Sequence, residues 1–514
     1  MDRSGDIEAV TLETANGRLG GYRRDGIARF KGIPFARPPI GPLRWRMPET
    51  ALPWAGVRDA TRFSAVAPQA PTQLETLMGG TIGEQSEDCL YLNVWTPACD
   101  DAKRPVMVWI HGGAFVIGAG SQGVYDGHRL AERNIVVVTI NYRLGAFGFL
   151  NLADASDGRA PGTGAEGLGD QLLALDWVKR NIAGFGGDPG NVTVFGESAG
   201  GMSIGALLAS PLARGLFHKA IAQSGAAHIG YDRERSARVA RALLDEMKLA
   251  PANAARAVEA PYGAIVKAQI AILSGTRMGK DTRRLGGLPF QPTIDGAILP
   301  MRAIEAVRGG SARGIPLLAG TTREEWKLFT GADPRMRFLS QAGLAERVAR
   351  FAGDAAPALL DLYSEGSPFE RFNAAMTDRI FTIPAARLLE AQSHYAPVHQ
   401  YRVDWRSPFL GGIMGACHAI ELGFVFGTFA DGMAANFFGK GAAAAELSQT
   451  LMECWTQFAR TGDPTTTTTG TWPQYDSAAR GTMVFGDGTP RLLHAPDERR
   501  LRVWDAVPER RLGL

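Results

Sequence analysis

Residues 192–205 read VTVFGESAGGMSIG, and two copies of the pattern G-x-S-x-G stand end to end in them, GESAG (Gly196 to Gly200) and GMSIG (Gly201 to Gly205). The pattern is the cue for a serine nucleophile held on a sharp strand-to-helix turn. With 63 glycines in 514 residues, chance supplies one copy in about every two such chains, so the flanks must decide. Upstream, NVTVF (191–195) is a continuous apolar run of the kind found in parallel strands covered on both faces; downstream, GMSIGALLAS reads as a helix. Strand, tight turn and helix together select Ser198, which projects at the helix N-terminus. Ser203 falls about one turn inside that helix, where a small polar residue serves packing.

Two more apolar runs, PVMVWI (105–110) and NIVVVTINY (134–142), belong to the same central sheet. Between the second run and NVTVF lies LGDQLLALDWVKRNIAGFGGDPGN (168–191), with Leu172, Leu175 and Ile182 at helical spacing around Trp177 and Val178. A strand–helix–strand crossover is right-handed in nearly all sheets and predicts a mostly parallel, doubly wound architecture. Candidate strands AIAQS (220–224), PLLAG (316–320) and VHQYRVDW (398–405) extend it, and AAAAELSQTLMECWTQFAR (442–460) reads as a long helix. Near the start, VTLETANGRLGGYRRDGIARFKGIPFA (10–36) alternates apolar and polar residues around Asn16-Gly17 and Asp25-Gly26, which predicts peripheral β-hairpins. The run TTTTT (465–469) reads as a polar surface loop.

Hydrophobic residues at 45% and charged residues at 21% describe a globular chain with a large core. Lys plus Arg less Asp plus Glu is 55 − 52 = +3, with the signs interspersed; this argues against nucleic acid or an anionic membrane as partner. The segment MDRSGDIEAV has neither the basic nor the apolar region of a secretory signal, so a cytoplasmic location is expected. Four cysteines without a CxxC, and without ligand spacing to the eight histidines, imply no disulfide framework, no metal and no cofactor. Nothing in the sequence sets the oligomeric state.

A serine alkoxide is not available near neutral pH, so Ser198 needs a base, and the base an orienting acid. In α/β-hydrolases the chain order is Ser, then Asp or Glu, then His. PLLAGTTREEW (316–326) offers Glu324 and Glu325 just past a strand, and GGIMGACHAIELGFVFG (411–427) offers His418 in a glycine-rich loop. Taken singly, each has a plain structural reading; the shared order and flanks favour the catalytic one.

GDPGNVTVFGESAGG (187–201), EDCLYLNVWTP (87–97), KGIPFARPPIGPLRW (31–45), SPLARGLFHKAIAQSG (210–225) and CHAIELGFVFG (417–427) resemble the motifs of the type-B carboxylesterases, the group of carboxylesterases, cholinesterases and bacterial para-nitrobenzyl esterases. The resemblance runs from about residue 8 to 475. It implies one α/β-hydrolase domain over 1–514, a mostly parallel sheet flanked by helices with an N-terminal hairpin region and helical insertions, and a cofactor-free serine esterase working through an acyl-enzyme on short- to medium-chain soluble esters. It implies Ser198 as nucleophile, His418 as general base and Glu325 as orienter, with Glu324 as the alternative because Trp326 stands where the family has glycine. VWIHGGAFVIG (108–118) resembles the oxyanion loop, which points to the N–H groups of Gly113 and Ala114, joined by Ala199. Glu197, Ser224 and Glu421 match positions that support the triad.

Cys89 matches a disulfide cysteine of secreted relatives, but its partner position reads Ala67-Pro68-Gln69, so no such bridge is expected. The loop from Ala67 to Cys89 has no tryptophan to hold a quaternary ammonium, which disfavours choline esters. The rival readings are an amide, carbamate or lactone as the scissile bond, and a non-catalytic binding member of the fold.

Overall fold

The computed structural model describes residues 7–72, 82–277 and 282–512. Its alternating N-terminal segment forms β1 (Glu8–Thr14), β2 (Gly17–Arg24) and β3 (Ile27–Pro34), antiparallel hairpins that turn at Asn16-Gly17 and Asp25-Gly26 as expected. A short β4 (Val57–Asp59) pairs with β2, and β5 (Tyr91–Thr96) runs antiparallel to β3. The three apolar runs become β6 (Arg104–Ile110), β7 (Val136–Ile140) and β8 (Gly187–Glu197). Beyond them come β9 (Lys219–Gln223), β10 (Leu317–Thr322), β11 (Val398–Val403), β12 (Thr482–Gly486) and β13 (Gly488–Leu493).

Among the described residues these make one thirteen-stranded sheet in the order β1-β2-β3-β5-β7-β6-β8-β9-β10-β11-β12-β13, with β4 beside β2. From β7 to β12 every neighbouring pair is parallel. The middle strands show why they lack polar alternation: Val106, Val108 and Ile110 of β6 pack into the core on one face, while Met107 and Trp109 enter a second core on the other. Both faces are covered, so both sets of alternate side chains are apolar. Helix α1 (Glu166–Asn181) makes the expected crossover from β7 to β8, with Leu172, Leu175, Trp177 and Val178 buried.

This crossover positions the site. The chain steps from β6 to β7 on one side, then returns to place β8 on the other side of β6. Where strand order reverses, the loops leaving neighbouring strands diverge and open a crevice at the strands' carboxyl ends. The HGG loop leaves β6 there, and the GESAG turn leaves β8 into α2 (Ala199–Ala209). Further along lie α3 (Pro368–Thr377), α4 (Ile383–Ser393), the predicted long helix α5 (Ala442–Thr461) and α6 (Glu498–Trp504). The threonine run is a partly exposed turn, with a bridge between Thr466 and Gly470. Among the described residues no helix is long and apolar enough to cross a membrane. Of the tryptophan-free loop from Ala67 to Cys89, residues 73–81 lie outside the described residues, as do residues 1–6 of the segment examined for a signal.

Candidate active site

Ser198 is the single residue between β8 and α2, with φ 56° and ψ −121°. A non-glycine residue in this region stores about 1–3 kcal/mol and persists only where its surroundings hold it. Here Ser198 N–H donates to Gln223 O at 2.9 Å, and Met202 N–H donates to Ser198 O at 2.8 Å. The flanking glycines are required by contact: a Cβ on Gly200 would lie 2.0 Å from Ile110 O, and one on Gly201 would lie 2.7 Å from Gln223 O. Helix α2 therefore sits hard against β6 and lifts Ser198 clear, partly exposed and without a hydrogen-bonded partner for its Oγ among the described residues. Ser203 is fully buried and accepts a bond from Gln171 Nε2 at 3.0 Å, the packing role expected of it.

Two loops zip together to deliver the carboxylate and the imidazole. Glu324 N–H donates to Ala416 O at 2.8 Å and His418 N–H to Glu325 O at 3.2 Å, which joins the turn after β10 to the loop after β11. The neighbouring glutamates then face opposite ways. Glu325 Oε2 lies 2.6 Å from His418 Nδ1, while its Oε1 accepts from Ser224 Oγ at 2.6 Å and from Thr322 N–H at 2.7 Å. Glu324 instead meets Lys327, Arg406 and the Ala416 N–H, far from the ring nitrogens.

His418 Nε2 lies 2.9 Å from Glu197 Oε1, a charge contact in which that oxygen accepts no aligned hydrogen bond. No hydrogen bond joins His418 to Ser198, so the structure brings the ring to the elbow but pairs it with the residue before the serine. Among the described residues Glu421 makes no hydrogen bond to the ring; its Oε1 accepts from Gln223 Nε2 at 3.1 Å, and Gln223 O in turn accepts from Ser198 N–H. Burial disfavours the charged imidazole, but Glu197 and Glu325 outweigh it and raise the His418 pKa well above the ordinary value. Burial pushes the Glu197 carboxyl up as well, and burial followed by the charges of Glu197 and Glu325 pushes Glu421 up to about 8.

The HGG loop runs against the elbow so closely that a Cβ on Gly112 would lie 2.8 Å from Glu197 O and 3.1 Å from Ser198 Cβ. Gly113 (φ 110°), Ala114 (φ 54°) and Phe115 (φ 62°) all take positive φ. Ala114 thus occupies a left-handed conformation that favours glycine. The N–H groups of Gly113, Ala114 and Ala199 donate to no other group among the described residues. His111, which sequence reasoning missed, braces the loop: its ring stacks on Tyr142 at 4.5 Å, its Nδ1 meets Gly112 O at 2.8 Å, and burial lowers its pKa to about 4, keeping it neutral. Also missed were Phe329 and Phe381, whose rings lie 5.3 and 4.7 Å from that of His418.

The carboxylesterase family profile matches residues 8–504. The chain belongs to the carboxylesterase family. It is 42% identical to the para-nitrobenzyl esterase of Bacillus subtilis over 97% of this chain and 99% of that protein. It is 34% identical to the human cocaine esterase over 94% of this chain and 88% of that one. The solved carboxylesterase of Geobacillus stearothermophilus superposes with a TM-score of 0.86 at 37% identity, covering 96% of this chain and 99% of that one. As a carboxylesterase of the α/β-hydrolase fold, it is a serine carboxylic-ester hydrolase of small-molecule esters. The amide, carbamate or lactone reading and the non-catalytic reading are not favoured by these relationships.

Close packing at the elbow of this carboxylesterase predicts unequal tolerance of its glycines. Gly200→Ala should destabilise the fold by ~1–3 kcal/mol and depress ester turnover, whereas Gly263→Ala, in a helix with open space around it, should be neutral or slightly stabilising. Thermal unfolding and kcat of the two variants side by side test the contrast.

Proposed function

We propose that Ser198 is the nucleophile, His418 the general base and then acid, and Glu325 the carboxylate that orients it. Gly113, Ala114 and Ala199 supply the N–H groups that receive the oxyanion. The observation that carries this reading is the 2.6 Å contact of Glu325 Oε2 with His418 Nδ1, which leaves Nε2 as the reactive edge beside the elbow. With its proton on Nδ1, the neutral imidazole takes the Ser198 proton at Nε2 as Oγ attacks the ester carbonyl carbon. The carbonyl π pair moves onto oxygen, and collapse expels the alcohol, which takes the proton back from Nε2 and leaves an acyl-serine. Water then repeats the sequence and releases the acid.

Glu197, Ser224 and Glu421 act on this cycle without forming bonds to substrate. A carboxylate 2.9 Å from Nε2 favours a proton on that nitrogen, the direction in which the His418 pKa moves. That proton must leave Nε2 before serine is activated. Ser224 fixes the Glu325 oxygen that the imidazole does not use.

The single sheet that runs through the described residues supports 1–514 as one catalytic domain. All four cysteines are free thiols, which supports a reducing compartment, the cytoplasm. Likeness to a para-nitrobenzyl esterase supports small-molecule esters as substrates, and within them this reading takes soluble esters with short to medium acyl chains. No step of the mechanism calls on a metal or cofactor, and no nucleic acid or membrane partner enters this reading.

Ser198→Ala should lower kcat by ~10⁴–10⁶-fold with folding intact, and Glu325→Gln by ~10⁴-fold, while Ser203→Ala and Glu324→Gln change it little. A fluorophosphonate should label Ser198 alone, as peptide mass mapping reports. Because the base must be neutral and its pKa is raised, the acid limb of kcat/KM should lie above pH ~6.5. Glu197→Gln removes one of the two carboxylates that raise it and should move that limb toward acid. On chain length, p-nitrophenyl acetate to butyrate should be hydrolysed far faster than the palmitate, with no jump in rate at an oil–water interface.

A further inference from the structure

Contacts at its two nitrogens hold the imidazole of His418 in its plane, but its tilt about that axis depends on what packs against its faces. Phe329, whose ring is tilted 42° to the imidazole, is 50% exposed, whereas Phe381, tilted 39° and nearer at 4.7 Å, is 3% exposed. Phe381 is therefore the firm stop. It sits in a π-helical turn, Asp378–Thr382, between α3 and α4. Such a turn is rare and weaker than the α-helix on either side. Pro384, just inside α4, has no N–H to give the turn behind it.

On the other side of this turn is a buried polar network that the esterase chemistry does not use. Asp378, 1% exposed, accepts from Tyr363 OH at 2.5 Å, and Tyr363 OH accepts from Trp504 Nε1 of α6 at 2.7 Å. Arg500 of the same helix lies 3.5 Å from Asp378 Oδ1. The next residue, Arg379, donates from Nε to Arg511 O at 3.0 Å and lies over the Phe351 ring, which is parallel to that of Trp504. Burial raises the Asp378 pKa, while Arg500, Tyr363 and Thr382 act against it; a buried carboxyl is located by such partners, because movement would leave its oxygens unpaired.

We propose that Asp378 is a positioning residue for His418: clamped by Tyr363 and by Arg500 and Trp504 of α6, it fixes the π-turn so that Phe381 holds the imidazole at its working tilt. The proposal rests on reading His418 as the catalytic base. It makes α6 part of the active-site wall although none of its residues touches the ring.

A double-mutant cycle tests it, with p-nitrophenyl butyrate as substrate and a fluorophosphonate to count competent sites. Tyr363→Phe is isosteric and removes only the hydroxyl between Asp378 and Trp504. Tyr363→Phe and Phe381→Ala should each lower kcat per titrated site by ~10–100-fold, with KM changed less than about threefold. The double variant should be no slower than Phe381→Ala alone, since both act through one contact. Asp378→Asn should follow Tyr363→Phe, and should it fail to fold, Trp504→Phe probes the same chain of bonds. Multiplying losses, or unchanged kcat per titrated site in Tyr363→Phe, would overturn the proposal alone. A wild-type chain that hydrolyses no ester, or a Ser198→Ala variant that does, would overturn the reading of the site and the proposal with it.

Discussion

One imidazole held between two buried carboxylates is the constraint around which the molecule is arranged. Ionisable groups in an apolar interior are tolerated only where partners offset their desolvation, so His418, Glu197 and Glu325 must arrive together. They come from different parts of the chain: the end of β8, the turn after β10 and the loop after β11. A parallel sheet is the simplest way to bring them to one place, because it collects the carboxyl ends of all its strands along one edge. Glu421 obeys the same constraint. With its pKa raised to about 8 it stays a neutral acid near pH 7 and spares the site a third negative charge.

The elbow was legible in the sequence because its causes are local. Gly200 and Gly201 are demanded by contacts with Ile110 and Gln223, and the continuous apolar run of β8 reports a strand covered on both faces. The choice between Glu324 and Glu325 was less legible, since adjacent residues differ only in which way a turn sends them. Backbone bonds from Glu324 to Ala416 and from His418 to Glu325 set that direction, and neither depends on the side chain at 326.

What the sequence did not reveal are contacts between distant residues with no periodic signal. The Glu197–His418 pair was read only as support, and it displaces the expected bond between His418 and Ser198. With Glu325, Glu197 also raises the His418 pKa well above the ordinary imidazole value. Phe329, Phe381 and His111 belong to the same class: an aromatic side chain in sequence looks like core, and only its neighbours make it part of a site. The antiparallel course of β5 was hidden for a related reason, because direction belongs to the connection rather than to the strand.

The order of the strands in space differs from their order along the chain, and this has a consequence for how each molecule is made. β6 and β7 leave the ribosome before β8, so the most apolar part of the sheet waits with one edge bare until the chain has returned through α1. Ser198 is synthesised before Glu325, Glu325 before His418, and the helix that clamps the π-turn later than all of them. From Ser198 to His418 is 418 − 198 = 220 of the 514 residues, so over that stretch of synthesis the elbow stands without the imidazole that packs beside it, and a messenger truncated ahead of α6 encodes an elbow without the helix behind the π-turn.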